Sequence, residues 1–460
     1  MANSSATTFL AGILCIALST PVSADTPNWE QSATALLAEL VSVPTVQGQG
    51  QVPVLAGRIQ RHLIDGGFAA SDVIVTRMEQ SATLVARYRG RDPGQAILIS
   101  NHMDVVEAKR EDWTRDPFTL VTENGYHYGR GVYDNKLDVA LTVTTLLRLK
   151  REGFVPAHDI ILVLSGDEET EMKTTAALSK QFPGAALVLN GDGGGGTMAG
   201  DERAVVYSIQ TAEKTYATFE IEVSNPGGHS SRPRKDNAIY QLADALKRLE
   251  AYAFPVQSTE QTRAAFGFTG KQIGGSLGQA MQRFSRNPSD GEAAAEISAD
   301  PEYVGTLRTT CVATQLHAGH AENALPQRAV ATVNCRIFPG TSIEQVRAGI
   351  AEQVRLPQTS VREIGKGFAS DASPLKPEVM AALRKAVDAN FPGLPIIPTM
   401  SSGATDSLYF RAEGIPSYGV SGAYVDPQDD FSHGLNERVP VSTVLRGLKH
   451  WHVLLTELAK

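Results

Sequence analysis

At 460 residues, with 42% hydrophobic and 20% charged side chains, the chain has the composition of a soluble globular protein and exceeds the usual size of one core, so two domains are expected. Its 42 Lys and Arg against 50 Asp and Glu leave a formal net charge of −8, which argues against a general nucleic-acid or anionic-membrane binder. The expected partner is a small molecule.

Residues 9–18 form a short apolar run, followed by Ser19, Thr20 and Pro21, and Val22-Ser23-Ala24 has the small residues of a cleavage site before Asp25. This predicts a signal peptide over 1–24, cleaved near Ala24, and an exported protein that is periplasmic or secreted. No Lys or Arg precedes the run, so only the terminal amine supplies positive charge there. The run is too short to span a bilayer and no second stretch of about 18 apolar residues follows, so no membrane segment is expected in the mature form. Cys15 follows Leu14 rather than a small residue, which disfavours a lipid anchor.

A helix around 29–40 precedes an alternation of apolar strands, 96–100, 159–165 and 185–189, with a helix over 137–150 between the first two. Such alternation predicts an α/β domain with a mostly parallel sheet. The polar segments Asn101-His102-Met103-Asp104, Gly166-Asp167-Glu168-Glu169 and Asn190-Gly191-Asp192 each begin where one of these strands ends. Open α/β sheets bind ligands outside the carboxyl ends of their strands, so three segments indicate one place.

The pattern changes near Thr211. Strand 216–223, helix 237–249, strands 309–317 and 329–338, helix 343–354 and strand 361–365 follow in the order βαββαβ, a two-layer α+β sandwich. A stretch over 254–305, rich in Gly, Ser, Gln and Ala, interrupts it as a partly helical insertion. Helix 377–389, strand 415–420 and helix 441–458 resume the first pattern. The expected division is 25–210 and 371–460 for the large domain, with 211–370 inserted into it. Cys311 and Cys335 lie at equal distances either side of Asn323, so antiparallel pairing would set them opposite each other, as a disulfide or as two buried thiols.

Adjacent Glu168 and Glu169 can divide two tasks at a pocket mouth, one binding metal and the other moving a proton, if further ligands converge there. His102 and Asp104, two apart, point the same way on an extended chain, and a ligating imidazole needs an acceptor on its other nitrogen. Asp134, before a helix, reads alone as an N-cap; Asp192 among glycines and His433 before the last helix read alone as ordinary polar residues. Together these residues form a two-histidine, three-carboxylate set with one glutamate left over, which suits two zinc ions sharing one carboxylate. The other histidines, His62, His127, His158, His317, His320, His450 and His452, have no such company and are expected at the surface or in packed structural roles.

The order His102-Met-Asp104, Gly-Arg-Gly-X-X-Asp134, Asp167-Glu168-Glu169, Asp192, Gly227-Gly228-His229-Ser230-Ser231, Asn323-Ala-Leu-Pro326 and a late His433 resembles the co-catalytic zinc family of glutamate carboxypeptidase, carboxypeptidase S, carnosinase-type dipeptidases, aminoacylases and succinyl-diaminopimelate desuccinylase. The resemblance covers nearly the whole mature chain. It implies a zinc-binding catalytic domain with an inserted lid, and a homodimer formed through that lid. It implies that His102 and Asp192 bind one metal ion, Glu169 and His433 the other, and that Asp134 bridges both. Glu168 would be the general base on the attacking water and Asp104 would orient His102. In the lid, His229 would stabilise the oxyanion, commonly from the neighbouring subunit, while Asn323 and Arg336 hold the substrate carbonyl and carboxylate. Gly403 would bring its backbone to the substrate. One departure stands out: the family follows its bridging Asp with Asp-Lys-Gly, and this chain has Asn135-Lys136-Leu137.

The function expected is hydrolysis of a terminal peptide bond in small peptides with a free carboxylate, by a carboxypeptidase or dipeptidase carrying two Zn2+ per subunit, with Mn2+ or Co2+ compatible with the same donors. An N-acyl amino acid amidohydrolase uses the same machinery and is the alternative. A non-catalytic solute-binding or scaffold protein would have lost the base or the ligands.

Overall fold

The computed structural model describes residues 1–2 and 27–460 apart from positions 201 and 366, so the apolar run and cleavage site expected within 1–24 lie outside the described residues. No described helix is long and apolar enough to cross a membrane.

The run Ile160-Ile161-Leu162-Val163-Leu164 is buried on both faces, as a strand inside a parallel sheet must be. It lies in strand His158–Ser165, which pairs in parallel with Asp92–His102. That strand pairs in parallel with Leu187–Asn190, which in turn pairs in parallel with Ser417–Gly419. Outside this centre the ten-stranded sheet turns antiparallel, through Ser81–Tyr88 and Val73–Met78 on one side and Ala204–Glu213 and Gly195–Met198 on the other. Alternate side chains serve two cores. Ile97, Ile99, Ile160 and Leu162 pack with Leu141 and Trp451 of helices Lys136–Arg151 and Ser442–Leu458, whereas Leu98, Ile161 and Val163 pack with Phe410 and Ile415.

The second unit is a four-stranded antiparallel sheet in the order Thr310–Ala318, Arg328–Ile337, Thr215–Ser224, Thr359–Ile364. Helices Ala238–Ala251 and Ile343–Gln353 cover one face, setting Leu242, Ala245, Val346 and Ile350 against Phe219, Ile221 and Val333. Their starts are fixed locally: the Asn237 side chain accepts the Ile239 N–H, and Ser342 and Gln345 form a reciprocal capping box.

One expectation is corrected. Strand Ala204–Glu213 belongs to the large sheet and pairs with Ile396–Ser401, so the change of domain falls at Lys214 rather than Thr211. The insertion is partly helical, with helices Glu260–Ile273, Gly275–Arg286, Gly291–Ser298 and Val304–Leu307 around Phe266, Met281, Phe284 and Ile297. Cys311 stands opposite Cys335 in the ladder with their Cα atoms 4.1 Å apart, and the two sulfurs form a disulfide.

His450 is fully buried, stacked 5.2 Å from the Tyr207 ring, and burial pushes its imidazole down to about 3 from the ordinary 6.5. The unfolded chain therefore takes up a proton between pH 6.5 and 3 that the folded chain refuses. Stability from the neutral ring is complete above that window and is lost as the pH falls through it, by at most about 1.4 kcal/mol per pH unit. In urea titrations between pH 6 and pH 4, His450→Phe should lose stability less steeply than wild type; equal slopes would contradict this assignment.

Candidate active site

Strand ends bring the polar residues together. His102 closes its strand beside Ser165 in the parallel register, and the chain beyond Ser165 turns through 166–172. In that turn Asp167 bends back, its carboxylate accepting the N–H groups of Lys173 and Thr174 at 2.9 Å each as the next helix starts. Glu168 and Glu169 are left facing the cavity, because the Asp104 carboxylate accepts both of their N–H groups at 3.1 Å. This revises the part expected of Asp104. His102 Nδ1 lies 3.0 Å from the Asp104 main-chain carbonyl and 3.6 Å from its carboxylate, so the backbone oxygen orients the ring while the carboxylate holds the glutamate turn.

Asp192 is fixed from the neighbouring strand end. Its N–H donates to Asn190 Oδ1 at 2.8 Å, and Asn190 Nδ2 donates to the hydroxyls of Thr405 and Ser407 at 2.9 Å. Asp134 does not cap the helix that follows it. That helix begins at Lys136 with Asn135 at the cap position, and the Asp134–Asn135 peptide is cis. His433 arrives on a loop with φ of 60°, in the left-handed region.

The two oxygens of Asp134 face different histidines: Oδ1 lies 2.9 Å from His102 Nε2, and Oδ2 lies 3.2 Å from His433 Nε2. Glu169 Oε2 is 2.9 Å from His433 Nε2, and Asp192 Oδ2 is 3.9 Å from His102 Nε2. Ligand atoms of His102, Asp134 and Glu169 lie within 4.8 Å of one another, as do those of His102, Glu168 and Asp192. All five expected metal ligands and Glu168 therefore converge.

The charges describe a site built for cations. Burial opposes ionisation of Asp134, but its hydrogen bonds with His102 and His433 hold its carboxyl well below the usual range. Bonds with Asp134 and Glu169 push His433 up to about 10. Burial disfavours the charged form of His102, yet Asp104 and Asp134 raise it well above its ordinary value. Burial, then the charge of Asp192, raises Glu168, and burial raises Asp192 as well. Neighbouring carboxylates thus raise both imidazoles, while burial raises Glu168 and Asp192. Mixed imidazole and carboxylate donors gathered at one place fit two divalent cations with one shared carboxylate.

A cavity of about 570 Å³ opens over this cluster. Arg336 and Gly403 line it together: Arg336 Nη1 donates to the Ser402 carbonyl at 3.2 Å, and the guanidinium lies 4.8 Å from the centre of the Tyr216 ring. His229 and Asn323 are adjacent to each other, through the pairing of Gly228–His229 with Ala324–Leu325 and the Ser230 N–H donating to the Asn323 carbonyl at 3.0 Å. Neither lines this cavity. Sequence reasoning missed its apolar wall of Met172, Phe368, Leu408 and Tyr409, in which the Phe368 and Tyr409 rings lie 4.5 Å apart. It also missed Glu437, whose buried carboxylate accepts the Asp134 N–H at 3.0 Å. An acid four residues past His433 was the available signal.

A sequence model of "Peptidase family M20/M25/M40" matches residues 98–457, a span holding every ligand candidate. The human N-fatty-acyl-amino acid synthase/hydrolase PM20D1 is 29% identical over 372 residues, covering 77% of this chain and 72% of the relative. Among solved structures, the M20 family metallo-carboxypeptidase Sso-CP2 from Sulfolobus solfataricus superposes with a TM-score of 0.68 at 16% identity, covering 93% of this chain and 99% of the other. Human carnosine dipeptidase 1 gives 0.62 at 17% identity, covering 94% and 97%. A match running from the strand of His102 to the last helix, over a fold shared almost end to end, places this metal-dependent hydrolase in peptidase family M20/M25/M40.

Proposed function

We propose that the chain is an exported di-zinc hydrolase that cleaves the terminal peptide bond of small peptides bearing a free carboxylate. The carrying observation is that Asp134 presents one oxygen to each histidine, with Glu168 beside the pair. His102 and Asp192 would hold one metal ion, Glu169 and His433 the other, with Asp134 between them. Bound metal would acidify the attacking water and polarise the amide carbonyl. Glu168, 8% exposed, would take the proton from that water and return it to the leaving amine. Arg336, with no carboxylate partner among the described residues and with its fork at the cavity wall, suits the substrate carboxylate. Gly403 brings its main chain to the same wall.

The wall of Met172, Phe368, Leu408 and Tyr409 favours a second reading, N-acyl amino acid hydrolysis, in which these side chains receive the acyl group. The name of the human relative supports it. Export is supported by the Cys311–Cys335 disulfide, a bond of oxidising compartments. A homodimer through the lid is supported by the edge strand Thr310–Ala318, which leaves Val312 62% and Leu316 53% exposed. A second copy would bring His229 and Asn323 to a cavity they do not line within their own chain.

Zinc-loaded protein should hydrolyse dipeptides with an apolar residue or the matching N-acyl amino acids, and lose turnover on chelation, with recovery on adding Zn2+; the ratio of kcat/KM between the two panels decides between the readings. Hydrolysis of neither panel at any zinc ratio removes both. Glu168→Ala should bind zinc as wild type does and lose turnover by about 10²–10⁴-fold, and wild-type turnover would refute its role as base. Val312→Lys with Leu316→Lys should convert a dimer to a monomer by light scattering, with loss of turnover; an active monomer would exclude the contribution of His229 from a partner.

A further inference from the structure

Glu437 is fully buried, lies four residues beyond His433, and belongs to no group of ligand atoms. Its main-chain carbonyl accepts the Gly129 N–H at 3.1 Å where strand Arg438–Pro440 begins to pair with Tyr126–Tyr128. This ladder lays the side chain across the turn at 130–134. There both carboxylate oxygens are used. Oε1 accepts the N–H groups of Tyr133 at 2.8 Å and Asp134 at 3.0 Å, while Oε2 accepts the Gly131 N–H at 2.9 Å and Arg130 Nη1 at 2.6 Å. Arg130, 2% exposed, gives Nη2 to the Gly434 carbonyl at 2.9 Å, one residue from His433.

We propose that Glu437, tied to Arg130, is the positioning residue that sets Asp134 against His433 before any metal arrives. The two ligands come from distant parts of the chain and meet only through Asp134 Oδ2 and His433 Nε2, both on backbone that needs restraint. His433 has φ of 60°, a conformation that residues with side chains seldom adopt unaided. The Asp134 turn presents three N–H groups inward, which need an acceptor once water is excluded. Only a carboxylate can accept three N–H groups and an arginine at once, since it carries two acceptor oxygens and no donor. An amide here would turn N–H toward N–H. The single side chain of Glu437 thus fixes the bridging ligand directly and the histidine loop through Arg130.

The inference rests on the proposed metal roles of Asp134 and His433. Wild-type protein that binds no zinc would remove that reading itself. Given zinc binding by wild type, Glu437→Gln should stay folded by circular dichroism, weaken one of the two zinc equivalents by about 10–100-fold in chelator competition, and lower kcat at saturating zinc while KM changes little. A role in stability alone would lower Tm and leave both zinc affinities and kcat at wild-type values, and that result overturns the proposal. If Glu437→Gln does not fold, hydrogen exchange on wild type decides. The amides of Gly131, Tyr133 and Asp134 should be protected equally in metal-free and zinc-loaded protein. Protection that appears only with zinc would assign the turn to the metal and overturn the proposal.

Discussion

Four carboxylates facing one cavity repel one another, and much of the local structure serves to keep them there. Two unit charges 4 Å apart cost about 4 kcal/mol at an effective dielectric of about 20. Asp134, Glu168, Glu169 and Asp192 are therefore held through their own main-chain N–H groups as well as through the histidines. The Asp104 carboxylate grips two consecutive N–H groups of the glutamate turn, Asn190 grips that of Asp192, and Glu437 grips that of Asp134. Each brace lies at or near a strand end. A rigid sheet supplies what a set of like charges cannot supply for itself, a fixed geometry in the absence of the cations that neutralise it.

The different placement of the two glutamates follows from the same scaffold. Glu169 points to His433, whereas Glu168 sits with His102 and Asp192. Both leave a turn rather than an extended strand, so their directions come from the bend and from Asp104, not from strand alternation. Asp167, the first acid of the three, is spent on the start of the next helix.

How much of this was legible depended on whether a signal was local. The buried run 160–164 and the strand ending at His102 announce themselves by composition, and motif order brought all six central residues to one place. The first hairpin, Val73–Met78 with Ser81–Tyr88, was missed because Val73–Met78 is an edge strand with only Val73 buried, so its pattern carries little apolar signal. The short strand Ser417–Gly419 was expected to be longer, since buried Ile415 and Val420 on either side extend the apolar run without extending the ladder. The wall at Phe368 and Tyr409 was invisible for another reason, since its members lie far apart in sequence and no spacing encodes them, while Glu437 offered only its place four residues past His433. His229 and Asn323 were legible only through motif order, and they lie beside each other but outside the cavity of their own chain.

The order of strands in the large sheet has a consequence for biosynthesis. Ser417–Gly419 lies between Leu187–Asn190 and Ala204–Glu213, so the centre of the sheet stays open until nearly the whole chain has been made. The four strands of the inserted sheet all fall within 215–364 and can pair first. Contacts of such sequence separation form late, after the loop-closure cost has been met. The nascent protein thus carries a finished inner domain on an unfinished outer one, and His433 reaches the cluster only as that outer sheet closes.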